Sequence, residues 1–115
     1  MRFETIALLA AGIAGCGSSF PPPNDEYSAA QADVGRAETG GSPGVPEGRL
    51  HLQLAEEDLQ KSKGLIDSGD NKRAADLIAV ARVEAQLALS LARQEQAEGQ
   101  ARSAEADLAK VKGAP

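Results

Sequence analysis

Few side chains in this chain could do chemistry, and their spacing narrows the choice further. Cys16 is the only cysteine and His51 the only histidine among 115 residues. A zinc site of the usual kind needs several such ligands converging on one point. His51 stands alone between Leu50 and Leu52 and cannot build one. No Ser-His-Asp or Cys-His set stands at a recognisable spacing. Glu56 and Glu57 are adjacent, so on a helix they diverge rather than pair for acid–base work. The glycine-rich stretch from Gly40 to Gly48 lacks the lysine of a phosphate-binding loop and follows no strand. We therefore expect no catalytic set, no metal site and no enzyme activity. What remains is the thiol of Cys16 and the segment before it. Arg2 provides a basic start, Ile6 to Gly15 an uncharged apolar run, and Ala14-Gly15 a small-residue exit. These are the three parts of a secretory signal, with an apolar run of about ten residues.

Because the exit ends on a cysteine, Ile13-Ala14-Gly15-Cys16 resembles the end of a bacterial lipoprotein signal peptide. The resemblance implies that residues 1–15 are removed by cleavage between Gly15 and Cys16. It also implies that Cys16 carries a thioether-linked diacylglycerol and an amide-linked acyl chain, and no further cofactor is expected. Ile13, Ala14 and Gly15 would be the recognition positions, with Ile13 standing where leucine is commoner. One acyl chain holds a protein only marginally, at about 0.8 kcal/mol per buried methylene, whereas two or three hold it stably. An ordinary cleaved signal is the alternative, and it would leave an odd thiol to explain. An uncleaved span is too short, since a bilayer needs roughly 20 apolar residues. Gly17 takes the place where, in the enterobacterial sorting pattern, an aspartate favours the inner membrane. The expected address is thus the outer membrane, lipid-anchored on the periplasmic side.

The formal net charge of −5 gives no basic surface for phosphates, so nucleic acid is not an expected partner. Aromatics are reduced to Phe3, Phe20 and Tyr27, with no tryptophan. A core must then come from Leu, Ile, Val and much Ala, each burying little area at roughly 25 cal/mol per Å². That predicts a thin helical body without a deep pocket.

The elements that follow fit this picture. Residues 16–23 are expected to comprise Cys16, which the signal-peptide resemblance makes the lipidated residue, and a tether, because Pro21-Pro22-Pro23 excludes helix and favours a stiff extended spacer. An alanine-rich helical domain is expected over residues 24–112. Its first helix, about 25–39, has Asn24 as N-cap and a stripe of Tyr27, Ala30, Val34 and Ala37. The breakers from Gly40 to Val45 end it. Pro46 suits the first position of a second helix, 46–68, with Leu52, Ala55, Leu59, Ser62 and Ile66 on one face, widened by Leu54 and Leu65. Glu57 or Asp58 can pair with Lys61. Gly69 can close that helix and Asp70 can cap the next. The third helix, 71–112, carries Ala74, Leu77, Ile78, Ala81, Ala85, Ala88 and Ala92, extended by Leu87 and Leu91. Farther on, Ala97, Ala101, Ala104, Leu108 and Val111 alternate steps of four and three.

At 1.5 Å per residue the second helix is about 34 Å long and the third about 63 Å. Folded back on each other, they leave residues from about Arg93 onward overhanging by roughly 30 Å. The stripe from Ala97 to Val111 is then either a solvated tail or a coiled-coil seam, for another envelope protein or for a second copy. Two heptads of mainly alanine make a poor coiled coil, and no strong set of flanking charges fixes an orientation.

The block from Pro46 to about Ala92 resembles the alanine-rich envelope family catalogued as domain of unknown function 4398. The matching positions are Pro46, Ala55, Leu59, Gly69, Asp70, Ala74, Leu77, Ala81 and Ala85, and the helix around Ala29 to Ala37 belongs with them. The resemblance implies a short lipoprotein, or a module joined to a wall-binding domain that is not seen here. The hairpin is also similar to a single tetratricopeptide unit, which lacks the neighbours such repeats need. Neither resemblance supplies catalytic residues. The expected fold class is all-α: an elongated helical hairpin with a short N-terminal helix and a long C-terminal helix. The expected function is that of a membrane-anchored structural or adaptor arm. The alternative is a small periplasmic binding protein whose helical groove takes a peptide or lipid-like ligand.

Overall fold

The computed structural model describes residues 19–114. They form three helices: α1 (Asn24–Thr39), α2 (Pro46–Asp67) and α3 (Asn71–Gly113), with a 3-10 turn at Ser42–Gly44. The described part is all-α, with no strand among the described residues. No helix of the described residues is long and apolar enough to cross a membrane.

Local chemistry sets the boundaries. Pro46 opens α2 at the first position, where its missing N–H costs nothing. The α2–α3 turn is closed by Gly69 at φ 83°, a left-handed conformation that glycine adopts freely. There the Asp70 N–H donates to the Leu65 carbonyl at 2.9 Å and the Gly69 N–H to the Ile66 carbonyl at 3.0 Å. That pair of bonds satisfies carbonyls the helix end would otherwise leave open. Two expected caps differ from this. Asn24 lies inside α1, with Pro23 at the N-cap position, and Asp70 occupies the cap of α3 without a side-chain cap bond. The Asp70 carboxylate instead accepts from Arg73 at 3.2 Å, an arginine one turn along competing successfully for it.

Tertiary pairs fix the directions. Gly48 lies against Ala88 and His51 bonds Glu84, so α2 runs antiparallel to α3. Asn71 donates to the Phe20 carbonyl at 2.9 Å, Arg82 to Asp33 at 2.8 Å and Gln96 to the Gly40 carbonyl at 3.0 Å. Those pairs climb both segments together, so α1 runs parallel to α3, lying in one groove of the α2–α3 hairpin.

The core is a stack of small residues. Ala30, Val34 and Ala37 meet Leu52, Ala55 and Leu59, and both groups meet Ile78, Ala81, Ala85 and Ala88. Small side chains let backbones approach closely. A Cβ on Gly48 would lie 3.0 Å from the Ser42 carbonyl oxygen and 3.3 Å from that of Ala88. Such contact gains dispersion energy over many atom pairs, although each alanine buries little apolar area. Leu54 and Leu87, expected to widen the buried faces, remain 37% and 41% exposed. The alanine seam brings the axes together so narrowly that flanking leucines are left on the rim.

Candidate functional site

The third helix presents two faces with different fates. Its inner row, Ala74, Ile78, Ala81, Ala85, Ala88 and Ala92, is no more than 1% exposed. Past Ala92 the cover stops. From Arg93 to Ala114 every residue is exposed except Gly99, which is half-buried. The stripe Ala97, Ala101, Ala104, Leu108 and Val111 lies wholly on this overhang, with Leu108 54% and Val111 73% exposed.

Pairs within the helix support the overhang. Gln94 donates to Glu98 at 2.9 Å, Arg102 bonds Glu95 at 3.1 Å and approaches Glu98 at 3.8 Å, and Lys110 pairs with Asp107 at 3.4 Å. Exposed pairs of this kind contribute only about 0.2–1 kcal/mol each. Lys110 and Lys112 in the last turn also complement the negative end of the helix dipole.

Where the overhang leaves the body, its two sides carry opposite charge. On the α1 side an open hollow of about 390 Å³ is lined by Arg36, Thr39, Gly40, Leu89, Arg93 and Gln96. On the α2 side a smaller one, about 170 Å³, is lined by Val45, Glu47, Leu91, Gln94, Glu95 and Glu98. Gly40 is needed at this junction, since a Cβ there would strike the Leu89 side chain and sit 2.8 Å from the Arg36 carbonyl oxygen.

Two polar ties hold the base, and the sequence did not announce them. Asp33 is buried at 3% exposure on α1, where it bonds Arg82 of α3 at 2.8 Å and Arg36 of its own helix. Its place between the core residues Ala30, Val34 and Ala37 was the available signal. His51 Nδ1 lies 2.5 Å from Glu84 Oε2, joining α2 to α3. This pair positions helices and stands apart from any metal-ligating group: no cluster of three or more His, Cys, Asp or Glu that could hold a metal occurs among the described residues. On α2, Lys61 approaches Asp58 at 3.6 Å, while Glu57 accepts from Gln53 at 3.2 Å. At the α1–α2 contact, Glu56 is held above the ordinary carboxylate range. Partial desolvation is the first cause, followed by its hydrogen bond to Glu38 and that residue's charge. Gly15 and Cys16, the proposed cleavage and lipidation positions, lie outside the described residues.

A family model, Domain of unknown function (DUF4398), matches residues 25–104. No curated protein and no solved structure matches the chain. The match takes in α1, α2 and all but the last turns of α3, so the chain belongs to the DUF4398 family.

Proposed function

We propose that this member of the family is a lipid-anchored bacterial envelope protein, non-enzymatic, that works as a structural or adaptor arm facing the periplasm. One observation carries the arm reading. A single helix of 43 residues leaves its three-helix base after Ala92 and continues uncovered to Gly113. A helix without tertiary cover is marginal in water, and here strong helix formers and intrahelical pairs support it instead. Residues 93–98 still stand beside the ends of α1 and α2, and residues 99–113 extend about 22 Å beyond the base, with apolar side chains to offer a partner. The anchor reading rests on the sequence around Cys16, and on two or three acyl chains being enough to hold a small domain at a membrane. Outer-membrane placement rests on Gly17 after that cysteine.

The groove reading has only the hollow at Arg36 and Arg93 in its favour. Its lining is polar apart from Leu89, which suits neither a lipid tail nor an apolar peptide.

Fractionating cells that express the Cys16→Ser chain tests the anchor. We expect the variant to leave the membrane fraction with its helicity intact, and intact mass of the wild type to show diacylglycerol plus acyl chains on Cys16. A Ser variant that still pellets with membranes overturns the anchor. Truncation after Arg93 tests the arm: the base stays helical and partner binding disappears. Binding that survives the cut moves the interface to another surface.

A further inference from the structure

We propose that two copies of this chain associate side by side, in parallel, through a continuous seam on the outer face of α3 from Val80 to Val111. The inference deepens the arm reading by naming a second copy of the chain as the partner.

The stripe that begins at Ala97 does not stop there. Counting back in the same steps of three and four reaches Gln94, Ser90, Leu87, Val83 and Val80, and each of these is exposed. Val80 and Val83 are 49% and 64% exposed, high for β-branched residues in the packed half of the helix. The seam therefore spans residues 80–111, about 48 Å, with a seven-residue period. That period is the one that keeps two helices in contact along a left-handed supercoil. Large apolar residues stand at both ends, and small or polar ones between them. Neither neighbour blocks it. α1 is marked on α3 by Arg82 and α2 by Glu84, and the seam runs outside both.

Charge selects the occupant and its direction. In a parallel pair, the residue flanking one side of the seam faces the residue five positions later on the second copy, and such flanking pairs set partner and orientation. Arg93 then faces Glu98 of the second copy, and Asp107 faces its Lys112. The intervening pair, Gln100 with Glu105, is not repulsive. Within one chain Arg93, Glu105 and Lys112 have no ion-pair partner among the described residues, whereas Glu95, Glu98, Arg102, Asp107 and Lys110 are locally paired. An antiparallel pair would set the other flank against itself. Three of its four charged positions are Glu84, Glu98 and Glu105, so glutamates would meet. Parallel association also leaves both N-termini on one side, as two chains anchored in one membrane require.

Sedimentation equilibrium on the full-length Cys16→Ser chain, which removes unwanted thiol exchange, tests the seam. We expect a reversible monomer–dimer equilibrium that Leu108→Glu weakens at least tenfold, with far-UV helicity unchanged. Arg93→Glu should weaken it roughly three- to tenfold, and adding Glu98→Arg should restore it, as exchange of an exposed ion pair would. Ala104→Cys in the same background should form a disulfide-linked dimer under mild oxidation, because parallel register sets that position opposite itself. A monomer at near-millimolar concentration, a dimer indifferent to Leu108→Glu, or failure of Ala104→Cys to cross-link each overturns the proposal. A monomeric chain whose wild-type form still fractionates with membranes removes the seam and leaves the anchor. A dimer whose wild-type form is free of membranes removes the anchor and leaves the seam.

Discussion

The inner and outer faces of α3 use the same period and much the same residues, yet one is sealed and the other open. Ala81, Ala85 and Ala88 are fully buried, whereas Ala97, Ala101 and Ala104, farther along the same helix, are exposed. The difference lies in what is available to cover them. α2 ends its antiparallel run near Ala88, because Gly48 and Pro46 stand there and the chain turns away toward α1. Periodicity therefore marks a face that can be buried. The side a neighbour takes decides it as far as Ala92, where Val83 is exposed opposite buried Ala81 and Ala85, and the neighbour's length decides it beyond.

The sharpest way to break the comparison is to place the same charge on each face. Ala85→Glu would bury an unpaired carboxylate in the three-helix contact, costing about 3 kcal/mol or more. In a body with so thin a core, that should unfold it in a thermal melt followed by circular dichroism. Ala101→Glu on the outer face, measured at a concentration low enough to keep the chain monomeric, should leave stability within about 0.5 kcal/mol. If the two variants melted alike, the inner face would not be the core.

Gly48→Leu probes how close the helices must come. The space that a Cβ would enter is already bounded by two backbone oxygens, so a larger side chain has to push α2 off α3. We expect a loss of about 2–3 kcal/mol, read as a lower denaturation midpoint. A neutral outcome would mean that the α2–α3 contact is loose.

Arg82→Ala should cost less, about 1–2 kcal/mol, since Asp33 keeps Arg36 and the lost partner is itself half exposed. Asp33→Asn in the same chain should recover part of that loss, because no charge then remains buried. A double-mutant cycle without coupling would show that the tie between α1 and α3 is incidental.

The smallest effect belongs to Glu56. Its folded value lies above the ordinary carboxylate value, so within that window the folded chain holds a proton that the unfolded chain has released. Stability then falls as pH rises through the window and recovers as pH drops. Glu56→Gln should flatten that slope and slightly raise the melting temperature at neutral pH. An unchanged slope would assign it to other carboxylates.

How much of this was legible differs by feature. The helical periodicity around Ala55, Ala81 and Ala85 could be read directly, because small apolar residues at steps of three and four leave few other arrangements. The turn at Gly69 was equally plain, since that position must accept a left-handed backbone. The overhang followed from arithmetic on helix lengths. Asp33 was legible only in part: its place among Ala30, Val34 and Ala37 set it near the inward face, but its partner Arg82 arrives from 49 residues away. His51 likewise gained a role only when Glu84 came within 2.5 Å.

The sequence by itself determined that the described chain is helical, where its helices turn, and that one helix outruns the other. These follow from local propensity and chain length, which act within a few residues. Only the tertiary structure decided which leucines stay on the rim, which groove α1 occupies, and that one row of α3 stays exposed from the body into the overhang. Those outcomes depend on axis separation and on which side of each helix a neighbour takes, and no local pattern encodes either.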